Sequence, residues 1–317
     1  MIMGFFNDNL NSLMAAQGYN DMQQNKKHNE DLCPSCCTLI TSSNNQYYSG
    51  LIVPKEFEER ILVHVVSHFL TQNDFFVPPM YLAIEGPAGE GKTSQTIAAL
   101  TQHDMEVIYI SASELAGSHE RDSVELMDQV YEYAVSRRKI MKCVAILIDD
   151  FHMGTVNQDP KIEKTINTNL LTGRMMNLAN RNDGIKIPII LTGNDFSNVY
   201  APLLRSGRAD RYIWKPDFET KSSIIRTLIE PFTVLSEEEF TRFCNRYRDG
   251  SIADFSQLKN DWRKDYVWKL IENERTLNMN AISRLNNYSI RFCKIRYQEL
   301  CELADRRMKS VKEKEEE

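Results

Sequence analysis

Short apolar runs alternate with longer helical patterns through the central part of the chain. Continuous apolar segments of this kind predict strands that are buried on both faces of a sheet. They lie at 81–85, 106–110, 143–148 and 187–191, with a shorter one at 212–214. Apolar residues at helical spacing occupy the segments between them, at 92–101, 124–138 and 162–179. Because such helices connect parallel strands, the alternation predicts an α/β fold with a parallel sheet sandwiched by helices.

Helical patterns flank this alternating region on both sides. Apolar residues recur every fourth position between 57 and 69 and predict a helix that ends before Pro78. After Pro216 the strand signals vanish, and residues 218–273 are predicted to form a helical lid. Residues 281–309 have the pattern of one long C-terminal helix.

The first fifty residues differ from the rest of the chain. They are rich in Asn, Gln and Ser and only weakly periodic, with one short amphipathic helix predicted at 5–14. We therefore predict three parts: a mobile N-terminal extension at 1–50, a nucleotide-binding α/β domain at 51–216, and a helical lid with a C-terminal helical segment at 217–317.

A phosphate-binding pattern follows the first predicted strand of this domain. The pattern Gly-x-x-x-x-Gly-Lys-Thr is made by Gly86, Pro87, Ala88, Gly89, Glu90, Gly91, Lys92 and Thr93, and Ser94 completes the predicted nucleotide site. The glycines let the backbone N–H groups approach an anion at a helix N-terminus. Lys92 is expected to reach the outer phosphates and the Thr93 hydroxyl to bind Mg²⁺. A chance glycine-rich turn is the alternative, and the strand before it and the helix after it argue against that alternative.

Two carboxylates end the predicted strand at 143–148. In P-loop enzymes an acid at this position holds Mg²⁺ through water, and a second acid can polarise the attacking water. We assign Asp149 to the metal and Asp150 to the water. The alternative is a buried strand with a polar exit, although the spacing from the glycine-rich turn fits a βαβ core.

Polar and basic residues follow the next predicted strand. Asn194 lies at the strand end, where it could orient a water against the γ-phosphate, or could simply be a turn residue. Arg205, Arg208 and Arg211 are three residues apart and would share one face of a short helix. A cluster of this kind favours arginine fingers that act on a neighbouring subunit, with a solvated basic face as the alternative.

The segment at 188–216 resembles AAA+ ATPases and, among them, Rubisco activase of the green type. It reads PIILTGNDFSNVYAPLLRSGRADRYIWKP and is similar to that family at nearly every position. Weaker similarities flank it in GLIVPKEFEERILVHV at 50–65, ISASELAG at 110–117, TINTNLLTGRMMNLA at 165–179, GSIADFSQL at 250–258 and LADRRM at 303–308. The resemblance thus extends from about residue 50 into the C-terminal helix.

This resemblance implies a role for each matching residue. Lys92 and Thr93 would bind ATP, Asp150 would be the Walker B acid and Asn194 would be sensor 1. Arg205 and Arg208 would be the arginine fingers, and the segments 115–122 and 152–157 would line a central pore.

The same resemblance implies an assembly and a partner. Members of the family form ring homo-oligomers, usually hexamers, and use Mg²⁺-dependent ATP hydrolysis to remodel a protein client. In plants and some cyanobacteria the client is Rubisco blocked by a sugar phosphate. We therefore expect a ring of identical subunits that acts on a protein, with Rubisco as the client that the resemblance implies.

The chain departs from the family on the side that faces the client. Where the family carries sensor 2 arginines, this chain has Lys259 and Asp261, and an acid near phosphate would repel it. Either Lys259 or Arg263 takes over, or lid closure is weakened. A nucleotide-gated scaffold with little turnover is therefore an alternative function. The chain is also shorter between 271 and 290, where plant activases carry the helix that recognises Rubisco.

Composition narrows the classes of partner. The chain has 317 residues, 42% of them apolar, and a net charge of −6. Because phosphate neutralisation needs a basic face, the acidic balance disfavours nucleic acid, and with it the alternative of a DNA-linked AAA+ loader or phage-defence component. No apolar run approaches the roughly 18 residues of a membrane span. A secretory signal pattern is lacking as well, so we predict a cytoplasmic protein without membrane contact.

Three of the seven cysteines cluster at Cys33, Cys36 and Cys37. A CxxC pair can open a zinc site or a redox site, but structural zinc needs four ligands and no second pair follows. His28 and Cys37 could complete a cramped zinc site, and reduced thiols are the default for a cytosolic chain.

Overall fold

A computed structural model describes residues 33–45, 48–70, 77–115, 122–151, 166–180, 185–272, 274, 277–280, 282–283 and 294–315. The strands are β1 (Thr38–Ile40), β2 (Tyr81–Glu85), β3 (Glu106–Ser111), β4 (Val144–Asp149), β5 (Ile189–Gly193) and β6 (Ala209–Ile213). The α-helices are α1 (Lys55–Ser67), α2 (Lys92–Thr101), α3 (Ala112–Leu115), α4 (Asp122–Lys139), α5 (Ile166–Asn180), α6 (Phe218–Ile229), α7 (Glu237–Arg246), α8 (Ile252–Ile271) and α9 (Tyr297–Glu315). Short 3₁₀ turns span Tyr48–Gly50 and Glu230–Phe232.

The strands form one six-stranded sheet in the order β1-β3-β4-β5-β2-β6. Strands β3, β4 and β5 are parallel, and β1 pairs antiparallel with β3 at one edge. Tyr81 N–H donates to Arg208 O at the start of β2, and Trp214 N–H donates to Glu85 O at its end, so β6 also runs parallel to β2. The predicted α/β fold with a parallel sheet and flanking helices is confirmed.

Burial on both faces explains why these strands read as continuous apolar runs. Residues 144–148 of β4 and all five residues of β5 are buried. Helices α4 and α5 contribute Met127, Val130, Met175 and Leu178 to the same core. A parallel strand with helices on both sides needs no polar face, so the sequence signal is a run and not an alternation.

Strand β1 corrects the prediction for the N-terminal extension. Thr38–Ile40 pairs with β3 through Tyr109, Ile108 and Val107, although residues 1–50 were expected to be mobile. A three-residue strand is too short to produce a periodic pattern, and its order comes from the free edge of β3. The helix predicted at 5–14 lies outside the described residues.

Contacts between Cα atoms divide the chain into two compact units. The first contains the described residues of 1–45, 61–84 and 100–212, and thus most of the sheet. The second contains those of 46–60, 85–99 and 213–317, so the segment after β2 groups with the C-terminal helices. The domain boundaries drawn from the sequence stay predictions.

The helices of the second unit begin at well-defined caps. Asp217 accepts a hydrogen bond from Thr220 N–H at the start of α6, and Ser236 and Ser251 form capping boxes at α7 and α8. These caps satisfy backbone donors that a helix start leaves open. An apolar core lies behind these caps. It contains Phe232 from the second 3₁₀ turn, Phe243 from α7, Phe255 and Leu258 from α8, and Leu300 from α9.

The single C-terminal helix predicted at 281–309 is wrong at its start, because α9 begins at Tyr297. Ile295 N–H donates to Phe232 O at 3.0 Å, and Val234 N–H donates to Ile295 O at 2.9 Å. This bridge uses the backbone groups that a continuing helix would need. A helix therefore does not run through the buried Ile295, and residues 284–293 lie outside the described part.

Two neighbouring histidines are buried next to the sheet. The rings of His64 and His68 lie 5.0 Å apart between centroids, and both residues are less than a tenth exposed. Burial, reinforced at His64 by the charge of His68, lowers the pKa of His64 to about 3. Burial likewise lowers the pKa of His68 to about 4. Both rings are therefore neutral in the folded protein near pH 7.

We expect the protein to lose stability as the pH falls from 7 to 5. In the unfolded chain the histidines protonate near pH 6.5, whereas in the folded chain protonation waits for pH 3–4, so acid favours the unfolded state. At pH 5 the free energy of unfolding should be lower by up to about 2 kcal/mol per histidine. Urea unfolding at both pH values measures this, and His64→Leu should remove about half of the change. A pH-independent free energy of unfolding would contradict the prediction.

Candidate functional site

The phosphate loop, residues 86–93, connects β2 to the first turn of α2. Gly89 and Gly91 have φ angles of 74° and 79°, in the left-handed region that favours glycine. The Lys92 ammonium donates to Gly86 O at 2.8 Å and to Pro87 O at 2.9 Å. The side chain of Lys92 thus folds back along the loop. The strand before the loop and the helix after it are both present, as the sequence predicts.

Gly86 has a close backbone neighbour that explains why this position is glycine. A Cβ atom placed on Gly86 would lie 2.0 Å from Trp214 O. Main-chain atoms cannot move aside as a flexible side chain would, so a larger residue would displace the loop or the chain that follows β6. Gly86 and Trp214 are far apart along the chain, so no local sequence pattern indicates this contact.

The loop is fixed on its other side by the N-terminus of α8. Ala253 N–H donates to Gly89 O at 2.9 Å, and a Cβ atom on Gly89 would lie 2.9 Å from Ser251 Oγ. Ser251 is the N-cap of α8, where its side chain accepts from Asp254 N–H. The first turn of a helix in the C-terminal part therefore contacts the loop directly.

A third contact reaches the interior of the loop. Trp214 Nε1–H donates to Glu90 O at 2.7 Å, and the Lys221 ammonium lies 2.8 Å from Glu90 Oε1. Glu90 and Lys221 are both largely buried, with side-chain exposures of 10% and 15%. The sequence pattern gave Glu90 no role beyond its place in the loop and gave no signal for Lys221.

Asp149 is held in place at the end of β4 by the strands on either side. Thr192 Oγ1–H donates to Asp149 Oδ1 at 2.6 Å, and the Tyr109 hydroxyl donates to Oδ2 at 3.1 Å. These bonds hold the carboxylate in one orientation at the strand end, and carboxylate oxygens are ligands that Mg²⁺ prefers in proteins. The donor set thus fits the predicted Mg²⁺ role of Asp149.

Asp150 has a different setting from its neighbour. Its φ angle is 52°, which is uncommon for a residue other than glycine, and its side chain is exposed. Its backbone N–H donates to Asp149 Oδ1 at 3.0 Å. This turn directs the chain away from β4 immediately after the metal-site candidate, and Asp150 remains accessible to solvent as a catalytic water would require.

The arginine segment differs from its prediction. Residues 201–208 form turns and not a short helix, and Arg211 lies in β6, which spans Ala209–Ile213 and not 212–214. Arg205 is exposed, whereas Arg208 donates to Asn180 Oδ1 at 3.1 Å and to Pro202 O at 2.6 Å. The three guanidinium groups therefore do not share a helix face, because Gly207 with a φ of 89° turns the chain between them.

Sensor 1 and sensor 2 candidates lie on separate elements. Asn194 is exposed and directly follows β5. On α8, Asp261 lies 3.2 Å from the Lys264 ammonium and 3.6 Å from the Arg307 guanidinium. Two cations thus offset the acid that the sequence analysis treated as repulsive.

The cysteine cluster packs against the core of the sheet. Cys33 Sγ and Cys37 Sγ lie 3.6 Å apart, and burial raises the pKa of Cys37 and of Cys36 above their ordinary values. Protonated thiols are poor metal ligands and poor nucleophiles. Within the described residues, no three His, Cys, Asp or Glu side chains are grouped to hold a metal ion. His28 lies outside them, as do most of the predicted pore segments, residues 116–121 and 152–157.

Comparison with known proteins agrees with the family resemblance that the sequence indicates. Residues 82–217 match the family model for the ATPase family associated with various cellular activities (AAA). The chain is 31% identical over 224 residues to the ribulose bisphosphate carboxylase/oxygenase activase of Nostoc sp., covering 67% of this chain and 53% of that protein. It is 27% identical over 235 residues to the chloroplastic activase of Arabidopsis thaliana, covering 70% and 49%. The chain thus spans about half the length of these curated relatives.

Among the described helices, none combines the length and the apolar character that crossing a bilayer demands.

Proposed function

Because this chain is an AAA+ protein that resembles Rubisco activases, we propose that it is a Mg²⁺-dependent ATPase that remodels a protein client. The observation that carries the proposal is the phosphate loop. It has two glycines in left-handed conformation and a buried lysine, and it opens helix α2 at the end of a parallel strand. Backbone N–H groups at such a helix start, together with a lysine, bind the phosphates of a nucleotide.

The proposal gives each polar residue a separate part. Lys92 binds the outer phosphates, and Thr93 and Asp149 are the predicted ligands of Mg²⁺, which supplies charge neutralisation when it is bound. Asp150 polarises the attacking water, and Asn194, at the end of β5, orients a water against the γ-phosphate. The hydrogen bonds of Asp149 to Thr192 and Tyr109 support its part, because they fix a carboxylate that must keep one orientation.

The client and the assembly are proposed from the resemblance to these relatives, which are named as activases of ribulose bisphosphate carboxylase/oxygenase. We propose that this chain assembles into a homo-oligomeric ring, a hexamer, in which Arg205 and Arg208 act on the nucleotide of the adjoining subunit. The proposed client is Rubisco, from which ATP hydrolysis would drive the release of an inhibitory sugar phosphate.

Steady-state hydrolysis tests the enzymatic part of this proposal. The purified chain should release phosphate from ATP with Mg²⁺ present and should stop when EDTA removes the metal. Phosphate release that is equal in EDTA, or is absent at every protein concentration at which the chain oligomerises, would contradict it. The same preparation added to Rubisco inhibited by a sugar phosphate should restore carboxylation only with ATP. A failure of the second assay alone would remove Rubisco as client and leave the ATPase.

A further inference from the structure

The phosphate loop contains a buried carboxylate, Glu90, two residues before Lys92. Glu90 is 8% exposed, and its Oε1 atom accepts a hydrogen bond from the Lys221 ammonium at 2.8 Å. Its other oxygen, Oε2, is buried and has no hydrogen-bond partner among the described residues. A carboxyl group is thus held inside the loop that would take an anionic ligand.

Glu90 is also anchored through its main chain. Trp214, itself 4% exposed, donates its indole N–H to Glu90 O at 2.7 Å. Gly89 before it accepts a hydrogen bond from Ala253 N–H. These two hydrogen bonds fix the backbone from which the buried Glu90 side chain extends.

An unpaired carboxylate at this place would oppose the binding of phosphate. Two like charges at close range in a partly buried site repel each other strongly, because little water screens them. Lys221 removes this repulsion by pairing with Glu90. Its position is otherwise unfavourable, since it lies in the first turn of α6, where the helix dipole disfavours a cation.

We propose that Lys221 is a positioning residue of the nucleotide site, which neutralises Glu90 and so permits a polyphosphate to bind in the phosphate loop. This inference rests on the proposed function, because it presupposes that the loop binds ATP. Lys221 belongs to α6, so the nucleotide affinity of the loop depends on where this helix lies. By linkage, a bound nucleotide stabilises the arrangement in which Lys221 reaches Glu90.

Isothermal titration of the chain with Mg²⁺ and ADP tests the inference. Lys221→Met should weaken ADP binding at least tenfold, because it leaves the Glu90 carboxylate of the phosphate loop unpaired. Glu90→Gln should bind ADP more tightly than the unmodified chain, because it leaves the Lys221 ammonium without its acidic partner in the loop. The double variant Glu90→Gln with Lys221→Met should return to within threefold of the unmodified chain. Lys269→Met, which removes an exposed lysine from α8 of the same unit, is the matched control and should bind normally.

The double variant separates charge neutralisation from a mechanical link. If the ion pair only tied the loop to α6, the double variant would lose the link and bind as weakly as Lys221→Met. That result would overturn the inference, and so would a Lys221→Met variant that binds within threefold of the unmodified chain. If Lys221→Met does not fold, as judged by its thermal unfolding, Glu90→Gln alone decides: a loss of affinity there contradicts the proposed repulsion.

The unmodified chain keeps the two proposals distinguishable. If it binds neither ADP nor ATP with Mg²⁺, the proposed function fails and this inference fails with it. If it binds them but the Lys221→Met, Glu90→Gln and double variants do not show the predicted affinities, only the proposed role of Lys221 is wrong.

Discussion

Replacement of Lys92 by alanine should abolish both nucleotide binding and ATP hydrolysis. The Lys92 ammonium is the cation of the phosphate loop itself, and it lies within hydrogen-bond distance of two loop carbonyls. Without it, the loop would offer backbone N–H groups but no mobile positive charge for the outer phosphates. We expect at least a hundredfold loss of affinity for ATP in an isothermal titration, and no hydrolysis above the background rate.

The same substitution has a smaller structural effect that must be separated from the loss of binding. Gly86 is buried, and its carbonyl oxygen would lose the hydrogen bond from Lys92, which destabilises the fold by about 1–3 kcal/mol. Thermal unfolding measures this part, and Lys269→Ala serves as the control for removal of a lysine charge. A folded Lys92→Ala variant that binds ATP within threefold of the unmodified chain would show that the loop is not the nucleotide site.

Replacement of Arg205 by alanine should leave nucleotide binding intact and remove turnover. Arg205 is exposed on a turn whose backbone is held by hydrogen bonds from Arg208 N–H and Ala209 N–H to Arg205 O. Loss of the side chain should therefore not disturb the turn. If Arg205 stabilises charge on the departing phosphate of a neighbouring subunit, hydrolysis should fall on the order of a thousandfold. Steady-state phosphate release at saturating ATP measures this loss.

Arg208 provides an internal comparison for the same assay. Its guanidinium donates to Asn180 and Pro202 of its own chain, so Arg208→Ala should lower the melting temperature as well as turnover. Arg205→Ala should lower turnover alone. Equal losses of stability in both variants would mean that Arg205 has a structural role that the fold does not show.

Mixing two inactive variants tests whether Arg205 acts between subunits. A Lys92→Ala subunit still carries Arg205, and an Arg205→Ala subunit still carries an intact phosphate loop. In a mixed ring the first can supply its arginine to the loop of the second, so part of the hydrolysis should return. Recovery to about a quarter of the unmodified rate is expected for random pairing in equal proportions. No recovery in rings shown to contain both variants would contradict action in trans.

The elements that the sequence predicted well are those with a local signal. The strands at 81–85 and 106–110 and the helix at 92–101 agree with β2, β3 and α2 to within a residue. A continuous apolar run indicates a strand that is buried on both faces, and helical spacing indicates a helix that is buried on one face. Both patterns can be recognised within a short stretch of sequence. The phosphate loop is local in the same sense, since its glycines and lysine are consecutive.

The elements that the sequence missed depend on partners far along the chain. Thr38–Ile40 is a strand only because β3 offers a free edge, and Ile295 leaves the helical pattern only because Phe232 and Val234 take its backbone hydrogen bonds. Turns are present around Arg205 and Arg208 where a short helix was expected, because Gly207 adopts a left-handed conformation there. Local spacing carries no information about any of these long-range choices.

By itself, the sequence determined the alternation of strands and helices, the position of the phosphate loop and the polar residues that end β4 and β5. Only the tertiary structure decided which side chains surround them: Thr192 and Tyr109 on Asp149, and Trp214, Lys221 and Ala253 on the loop. The physical reason is the range of the forces involved. Secondary structure follows from burial patterns among near neighbours, whereas a hydrogen bond or ion pair between distant segments exists only once the strand order and the helix packing have brought its atoms within about 3 Å.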